Sequence, residues 1–320
     1  MQTSLIELPS IRDDGSGYNY LFKLAANIIA DPHRHFNFNF KKCAILDQNA
    51  IAMLGGLARY VDSHNTIANS GLSGIILQKC GVMFQVESMS QIISELLIEN
   101  NFLSHFSKEN FDGYPEGDYI GYRQHMEYLD ANAIASHLNH QWLSDEKISI
   151  SPDLKNAIVS RIFEIFMNAY GHGVERCKTP GLGVISCGRY YKKESKLKLT
   201  VVDFGCGIIE NIKAHLKSDI DDIAATRWAL ETGNSTKTDS MYEHIPRGLG
   251  FGLLAEFVSL NKGDLSVFSN SCCAKVSENG NYDVSRMKTP FSGTMVNIAI
   301  NCDGRHYKFI SDSAGTEQYF

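Results

Sequence analysis

The segment Arg161–His172, RIFEIFMNAYGH, decides how the rest of the chain is interpreted. With the residues before it, this segment carries an apolar stripe at helical spacing, and Ser151 followed by Pro152 suits the start of a helix. Glu164 and Asn168 lie one turn apart, on one face of that helix. A carboxamide oxygen suits Mg²⁺, and a carboxylate one turn away suits activation of a nucleophile. Such a pair is common on solvated helix faces, so the downstream sequence decides its weight.

Composition and charge indicate a globular protein. The chain has 320 residues, of which 43% are hydrophobic and 21% charged, and this length predicts two domains that each bury a core. The formal net charge of −6 gives no sign of nucleic-acid binding. The lysine cluster Lys192, Lys193, Lys196 and Lys198 is predicted to lie on a solvated hairpin tip and strand edge.

The eight cysteines show no C-x-x-C pair and no zinc spacing. This pattern favours reduced, buried thiols in a cytoplasmic protein. The N-terminus lacks the features of a signal peptide, and no apolar stretch has the length of a membrane span, so no membrane partner is predicted.

The N-terminal part predicts a small α/β layer. Alternating phenylalanines over Phe36–Phe40 indicate a strand, and Val82–Val86 indicates another. The segments Ala50–His64 and Ser88–Asn100 have the apolar periodicity of helices. The sequence Asp13–Gly17 is predicted to be a flexible loop.

This order of elements, with the ending Leu96–Phe106, resembles a STAS-like domain, the fold of anti-sigma-factor antagonists. In that family a phosphorylatable serine precedes the first core helix. Gln48 and Asn49 stand at the matching place here, so the resemblance implies that the acceptor is absent. Ser70–Leu72 resembles the family's phosphosite string, but it is predicted to precede a strand and is interpreted as a coincidence.

The segment between the two predicted domains is interpreted as a loop over 111–121, followed by a long bridging helix over 122–142. His125, His137 and His140 lie in that helix. A histidine-kinase acceptor helix would carry an acidic and proline-containing pattern after its histidine, and a second long helix would follow. Neither is found, so these histidines are interpreted as surface or hydrogen-bonded side chains.

The strand predicted over Leu197–Val202 runs directly into Asp203, and Gly205 and Gly207 follow. An aspartate at the end of an apolar strand can accept a hydrogen bond at the rim of a pocket. The glycines allow the backbone to pass close to a flat ligand. An ordinary turn after a strand explains this motif equally well.

A second glycine motif, Gly248-x-Gly250-x-Gly252, opens an apolar helix through Leu260. Glycines at a helix start expose backbone N–H groups that suit phosphate. The spacing matches neither the Rossmann fingerprint nor a P-loop. The preceding segment 232–247 has almost no apolar periodicity and is predicted to be a mobile loop.

The order of these motifs resembles the GHKL ATPase superfamily, shared by DNA gyrase, MutL and the histidine-kinase catalytic domain. The resemblance covers about Asp145–Asn301. It implies an α/β protein with a C-terminal two-layer α/β sandwich, a Bergerat-type ATP-binding fold with a mixed sheet, preceded by the small STAS-like domain. The predicted division is 1–121, a bridging helix over 122–144, an ATP-binding domain over 145–302 and a polar tail over 303–320.

The resemblance also implies ATP and Mg²⁺ as cofactors and assigns roles. Segment 232–247 would be the nucleotide lid, in which Lys237 can reach the γ-phosphate or be an exposed loop lysine. Arg247 has the same two interpretations, and His172 is interpreted as structural or pocket-lining. By the same resemblance, Asn168 would be the Mg²⁺ ligand and Glu164 the general base. Asp203 would accept a hydrogen bond from adenine, with support from Thr294 of the Gly293-Thr294 pair. Two sets of glycines would complete the site: Gly205 and Gly207 would shape the adenine pocket, and Gly248, Gly250 and Gly252 would bind the phosphates.

The favoured function is a cytosolic, ATP-binding and ATP-hydrolysing conformational switch that acts on an unidentified protein partner. A homodimer is compatible with the resemblance. The alternatives are an anti-sigma-factor-like serine protein kinase and a non-catalytic, ATP-gated protein-binding module. Glu164 suits the first two equally, since a base can activate water or a hydroxyl group.

Overall fold

The computed structural model describes residues 3–70, 81–106, 118–125, 130–171, 183–231 and 250–311. The described helices are α1 (Gly15–Ala30), α2 (Gln48–Ser70), α3 (Gln91–Glu99), α4 (Ala131–Ser136), which continues into a π-helix (His137–Trp142), α5 (Pro152–Asn168), α6 (Gly207–Leu216), α7 (Asp222–Leu230) and α8 (Gly250–Leu260). The described strands are β1 (Thr3–Glu7), β2 (His35–Asn39), β3 (Val82–Gln85), β4 (Tyr119–His125), β5 (Ser149–Ile150), β6 (Val184–Tyr191), β7 (Lys196–Asp203), β8 (Asp264–Val276), β9 (Tyr282–Asn301) and β10 (His306–Tyr307).

The N-terminal strands β1, β2 and β3 form a parallel sheet in that order. Phe36 and Phe38 of β2 are buried, as the alternation of phenylalanines predicted. The predicted helices of this part are confirmed as α2 and α3. The loop predicted at 13–17 is wrong, because the Asp14 carboxylate accepts hydrogen bonds from two backbone N–H groups and caps α1. The mixed α/β class is therefore confirmed in this part of the chain.

The larger sheet has the order β4-β6-β7-β9-β8, and every pairing in it is antiparallel. The expected mixed sheet is wrong for these five strands. Short connections join β6 to β7 and β8 to β9, and a short connection forces neighbouring strands to run in opposite directions. The predicted hairpin of β6 and β7 is confirmed, with Ile185 opposite Val202.

Helices cover both faces of this sheet. The predicted two-layer sandwich would have helices on one face only, so this part of the prediction is wrong. Helices α5 and α8 contact each other and share one core with inward residues of the sheet, whereas α1 and α2 pack on the opposite face. That second core also includes Phe36 and Phe38 of the small sheet. The N-terminal part and the five-stranded sheet therefore share a core, and the prediction of a separate core for each part is wrong.

Helix α2 lies between the two sheets and is buried on all sides through its first half. At Gly55 and Gly56 it approaches the larger sheet closely. A Cβ atom added at Gly55 would lie 2.1 Å from the Tyr122 hydroxyl oxygen, and one at Gly56 would lie 2.2 Å from a ring carbon of Phe204. Only glycine fits at these two contacts.

The long helix predicted over 122–142 is wrong in its first part. Residues Tyr119–His125 form β4, and the predicted boundary at 121/122 falls within this strand. Tyr122 is buried toward α2, and His125 packs on the opposite face against Phe166. A strand between two helical layers buries residues on both faces, which hides the period of two that identifies exposed strands. The helix begins only after Asp130, whose carboxylate caps α4.

A buried polar network joins the N-terminal part to the larger sheet. The Asp13 carboxylate lies 3.0 Å from Lys198 Nζ and accepts hydrogen bonds from Gln48 Nε2 at 3.2 Å, Asn297 Nδ2 at 3.1 Å and the Tyr18 hydroxyl. The prediction that Lys198 is solvated is wrong, because its side chain is only 11% exposed. Lys198 lies on the face of β7 that packs against the N-terminal part. A buried ammonium group there requires an acidic partner, which Asp13 supplies.

Other predictions are settled within the described residues. All six described cysteines are free, and four of them are buried. The tail predicted from 303 contributes β10, which pairs with β5. Among the described residues, no helix is both long and apolar enough to cross a membrane.

Candidate functional site

The candidate site is centred on Asp203, the last residue of β7. Strand register places it directly opposite Thr294 of β9. Leu199 and Val201 of β7 face the core of α5 and α8, whereas Val202 faces α2. Because side chains alternate along a strand, Asp203 lies on the face of α5 and α8. The predicted association of Asp203 with Thr294 is therefore found in the structure.

Burial controls the charge of this carboxylate. Asp203 is 2% exposed, and desolvation raises its pKa from 3.8 to about 7. Hydrogen bonds from the backbone of Gly205 and from the backbone and side chain of Thr294 oppose that rise. The Gly205 N–H donates to Asp203 Oδ1 at 2.8 Å. The Asp203 carboxyl group is therefore about half protonated near neutral pH. A further hydrogen-bond donor that reaches it would stabilise its ionised form.

The turn after Asp203 requires glycine at Gly207. Its φ is +78°, and a Cβ there would lie 2.3 Å from Asn270 Oδ1. The Asn270 side chain accepts from the Ile209 N–H at 3.0 Å and donates to the Cys206 carbonyl at 2.9 Å, which holds the turn. Gly207 is also the first residue of α6. The predicted pocket-shaping glycines therefore lie directly beside the buried carboxylate.

Backbone of β9 also passes close to the site. A Cβ at Gly293 would lie 2.0 Å from the Asp203 carbonyl oxygen. Ser269 of β8 donates to the Gly293 carbonyl at 3.0 Å and accepts from the Ile208 N–H at 2.8 Å. Ser269 and Asn270 were missed in the sequence. The only available signal was a polar pair within the apolar strand VFSNS, where a bulge interrupts the register between β8 and β9.

Glu164 lies in the middle of α5 and is half-buried. It forms an ion pair with Arg161, one turn earlier, with Arg161 Nη1 at 2.5 Å from Glu164 Oε1. Burial raises the pKa of Glu164, and Arg161 opposes this rise through its charge and its hydrogen bond. Sequence reasoning also missed Arg161, although its position three residues before Glu164 is a signal for such a pair.

Asn168 is the last α-helical residue of α5, the helix continues beyond it, and its side chain is exposed. A π-helical turn over 169–171 follows it. An exposed amide at this helix end keeps its oxygen accessible, which suits a ligand for a hydrated cation. Within the described ranges, no group of three or more histidine, cysteine or acidic side chains is arranged to hold a metal by itself. The residues thus fit a Mg²⁺ that arrives with a phosphate ligand rather than a metal held by the protein alone.

The second glycine motif is partly described. The predicted helix through Leu260 is confirmed over its described part, Gly250–Leu260, which contains Gly250 and Gly252. This helix packs against α5. The remaining predicted residues, which are His172, Lys237, Arg247, Gly248 and the lid over 232–247, lie outside the described residues.

No protein-family model matches the chain, and no curated protein matches its sequence. The geometry of the site is therefore the basis for its assignment. It places a buried acceptor at a glycine turn on the sheet face that α5 and α8 cover, and α5 carries Glu164 and packs against α8. These parts suit recognition of a flat donor group on one side and of phosphate on the other.

Proposed function

We propose that the chain binds ATP and hydrolyses it, and that it acts as a conformational switch. The observation that carries the proposal is the pair of buried Asp203 and half-buried Thr294, which lies at a glycine turn on the face of α5 and α8. A carboxylate in this position accepts a hydrogen bond from the exocyclic amine of adenine. The resemblance of the four motifs to the GHKL superfamily supports the same assignment.

Binding of the phosphates would fall to the N-terminal part of α8, where backbone N–H groups of the glycine motif are available if the helix begins there. Asn168 would hold Mg²⁺ through its amide oxygen. When bound, Mg²⁺ neutralises charge on the phosphates. Glu164 acts as the general base that takes the proton from the attacking water, and Arg161 keeps its carboxylate ionised and oriented.

Nucleotide recognition is tested by calorimetry with ATP and GTP. Asp203→Asn replaces a carboxylate, which only accepts hydrogen bonds, with an amide, which both donates and accepts. It should weaken ATP binding by about 1.5–3 kcal/mol, roughly tenfold or more. GTP should bind much more weakly to the wild type, since guanine presents an acceptor where adenine has a donor. Unchanged ATP affinity in a folded Asp203→Asn protein would show that the adenine assignment is wrong.

Hydrolysis is tested with γ-labelled ATP. The wild type should release free phosphate, and Glu164→Ala should keep its ATP affinity but lose turnover by about 10²–10⁴-fold, because a base acts mainly in the transition state. Glu210→Ala, at an exposed glutamate of α6, is the matched control and should keep full turnover. Equal turnover in the Glu164 and Glu210 variants would refute the role of Glu164.

The same assay separates the alternatives. Label that stays on a serine of this chain or of an added partner supports the serine-kinase function, since Glu164 can also activate a hydroxyl group. ATP binding with neither free phosphate nor labelled protein supports the non-catalytic, ATP-gated module.

The metal assignment has its own test. Asn168→Ala removes one oxygen ligand at the end of α5, where alanine is well tolerated. The ATP affinity of this variant should be nearly independent of Mg²⁺, whereas that of the wild type should rise with Mg²⁺. Wild-type Mg²⁺ dependence in the variant would contradict the role.

A further inference from the structure

Four buried polar atoms without a hydrogen-bond partner belong to β4, β6 and the π-helix, near the edge of the larger sheet. They are Arg123 Nε, His125 Nε2, His137 Nε2 and Ser186 Oγ. Arg123 and His125 belong to β4, and Ser186 of β6 lies directly opposite Arg123. Directly opposite residues project on the same face of a sheet. His137 and Ser186 are at least 97% buried, so these are not atoms that bulk water satisfies.

Gln141 of the π-helix links the members of this cluster. Arg123 Nη2 donates to Gln141 Oε1 at 3.1 Å, and His137 Nδ1 lies 2.7 Å from the same oxygen. Since that oxygen only accepts, His137 Nδ1 carries the hydrogen and Nε2 of the neutral ring is a bare acceptor. The His125 ring packs edge-on against Phe166 of α5, with ring centroids 5.2 Å apart. The cluster therefore lies between β4, the π-helix and α5.

The charge of the cluster is uncompensated. Within the described part of the chain, Arg123 has no acidic partner, and the acidic group that acts on the cluster is Asp130 at the start of α4. Desolvation and then the charge of Arg123 lower the pKa of His125 to about 4 and that of His137 to about 3. A half-buried guanidinium beside two neutral imidazoles is costly unless an anion joins it.

We propose that this cluster binds a compact oxyanion, a phosphate-type or carboxylate group, through Arg123, Ser186 and the two histidines. Arg123 Nε and the Ser186 hydroxyl donate directly. The bare nitrogen of His137 must first take up a proton from solvent in order to donate, so binding consumes a proton and strengthens as pH falls. Arg123, His125 and Gln141 are half-buried, which leaves the anion a route from solvent. The site is independent of the proposed nucleotide function.

The test uses the full chain with ¹⁵N-labelled histidine and follows the imidazole signals by NMR. Sulfate is the tetrahedral probe, because it does not titrate near neutral pH, and acetate is the carboxylate probe. Saturable shifts of His125 and His137, with a raised pKa for at least one ring, are expected with one of the two anions. The anion that produces them identifies the class of ligand. The affinity should weaken with rising pH, by up to roughly tenfold per unit for one coupled proton.

Variants localise the binding. Arg123→Gln should weaken it roughly tenfold or more, as loss of a charged donor does, and Ser186→Ala should weaken it less. Arg305→Gln removes an exposed guanidinium and is the matched control, which should bind as the wild type does. The wild-type titration needs no variant to fold. If neither anion shifts the two histidines in the wild type, or if Arg123→Gln binds as Arg305→Gln does, the proposal is wrong.

Discussion

At the scale of single residues, the protonation of Asp203 links nucleotide affinity to pH. Desolvation raises its pKa to about 7, and the charged carboxylate accepts from the adenine amine more strongly than the neutral acid does. ATP affinity should therefore fall by up to about tenfold per unit as pH drops below 7 and level off above it. Calorimetry from pH 5.5 to 8.5 measures this. Binding to the Asp203→Asn protein still reports the titration of the nucleotide itself, and it serves as the control. If wild type and variant showed the same pH dependence, the prediction would be wrong.

The same shift affects stability in the absence of nucleotide. The folded pKa lies above the ordinary value of 3.8, so the stabilisation from a protonated Asp203 is complete below about 4 and is lost as pH rises to about 7. The Asp203→Asn protein has no carboxyl group at this position, so its stability does not fall for this reason as pH rises. Denaturation midpoints of the two proteins should therefore diverge in favour of the variant between pH 4 and pH 7, and parallel curves would show that Asp203 ionises as freely in the folded state as in the unfolded state.

Arg161 should set the pH range in which Glu164 works. Burial raises the pKa of Glu164, and the charge and hydrogen bond of Arg161 oppose the rise. Arg161→Gln should move the acidic limb of the turnover profile to higher pH and lower kcat more than it changes KM. Arg161→Lys keeps the charge and should restore the wild-type limb. An unshifted limb in Arg161→Gln, with activity lost at all pH values, would indicate a structural role only.

At the scale of secondary structure, the contact of α2 with the larger sheet depends on glycine. Gly55→Ala adds a methyl group where the Tyr122 hydroxyl already lies, and overpacking of this kind costs about 1–3 kcal/mol. That cost exceeds the gain of up to about 1 kcal/mol from helix propensity. Gly15→Ala at the start of α1 meets no atom within 4 Å and is the control. Urea denaturation should show a loss for Gly55→Ala alone, and equal midpoints would contradict the close contact.

Local patterns predicted α5, with Ser151 and Pro152 at its start, and the helix that ends at Leu260. The family resemblance, rather than a local pattern, implied the association of Asp203 with Thr294. Local patterns did not predict β4, because a strand covered on both faces has no alternation of apolar and polar residues. They also missed Ser269 and Asn270, whose partners come from the turn after β7 rather than from neighbouring residues.

At the scale of the whole molecule, the ion pair of Asp13 and Lys198 holds the N-terminal part against the larger sheet. No sequence pattern predicted it, since the partners are far apart in the chain and each alone is typical of a solvated loop or hairpin. Asp13→Ala leaves a buried ammonium without a partner and should cost about 3–5 kcal/mol. The double variant Asp13→Ala/Lys198→Met removes both charges and should recover a large part of that loss.

Glu7→Ala is the matched control, because it breaks a solvent-exposed pair with Lys42 and should cost at most about 1 kcal/mol. Urea denaturation of all variants measures the differences. An Asp13→Ala protein as stable as Glu7→Ala would show that the network contributes little. A double variant less stable than Asp13→Ala would show that the remaining partners need the lysine.

The position of α2 between two sheets has a consequence for synthesis on the ribosome. Toward the larger sheet it is covered by β6, by β7 and by Phe204, which come more than 100 residues after α2 in the chain. At about 5–20 residues per second, these partners emerge on the order of ten seconds after α2. During that interval the nascent chain exposes an almost complete hydrophobic helix. We expect yield in cells to depend on chaperones that shield this helix, and fragments that end before β6 to aggregate.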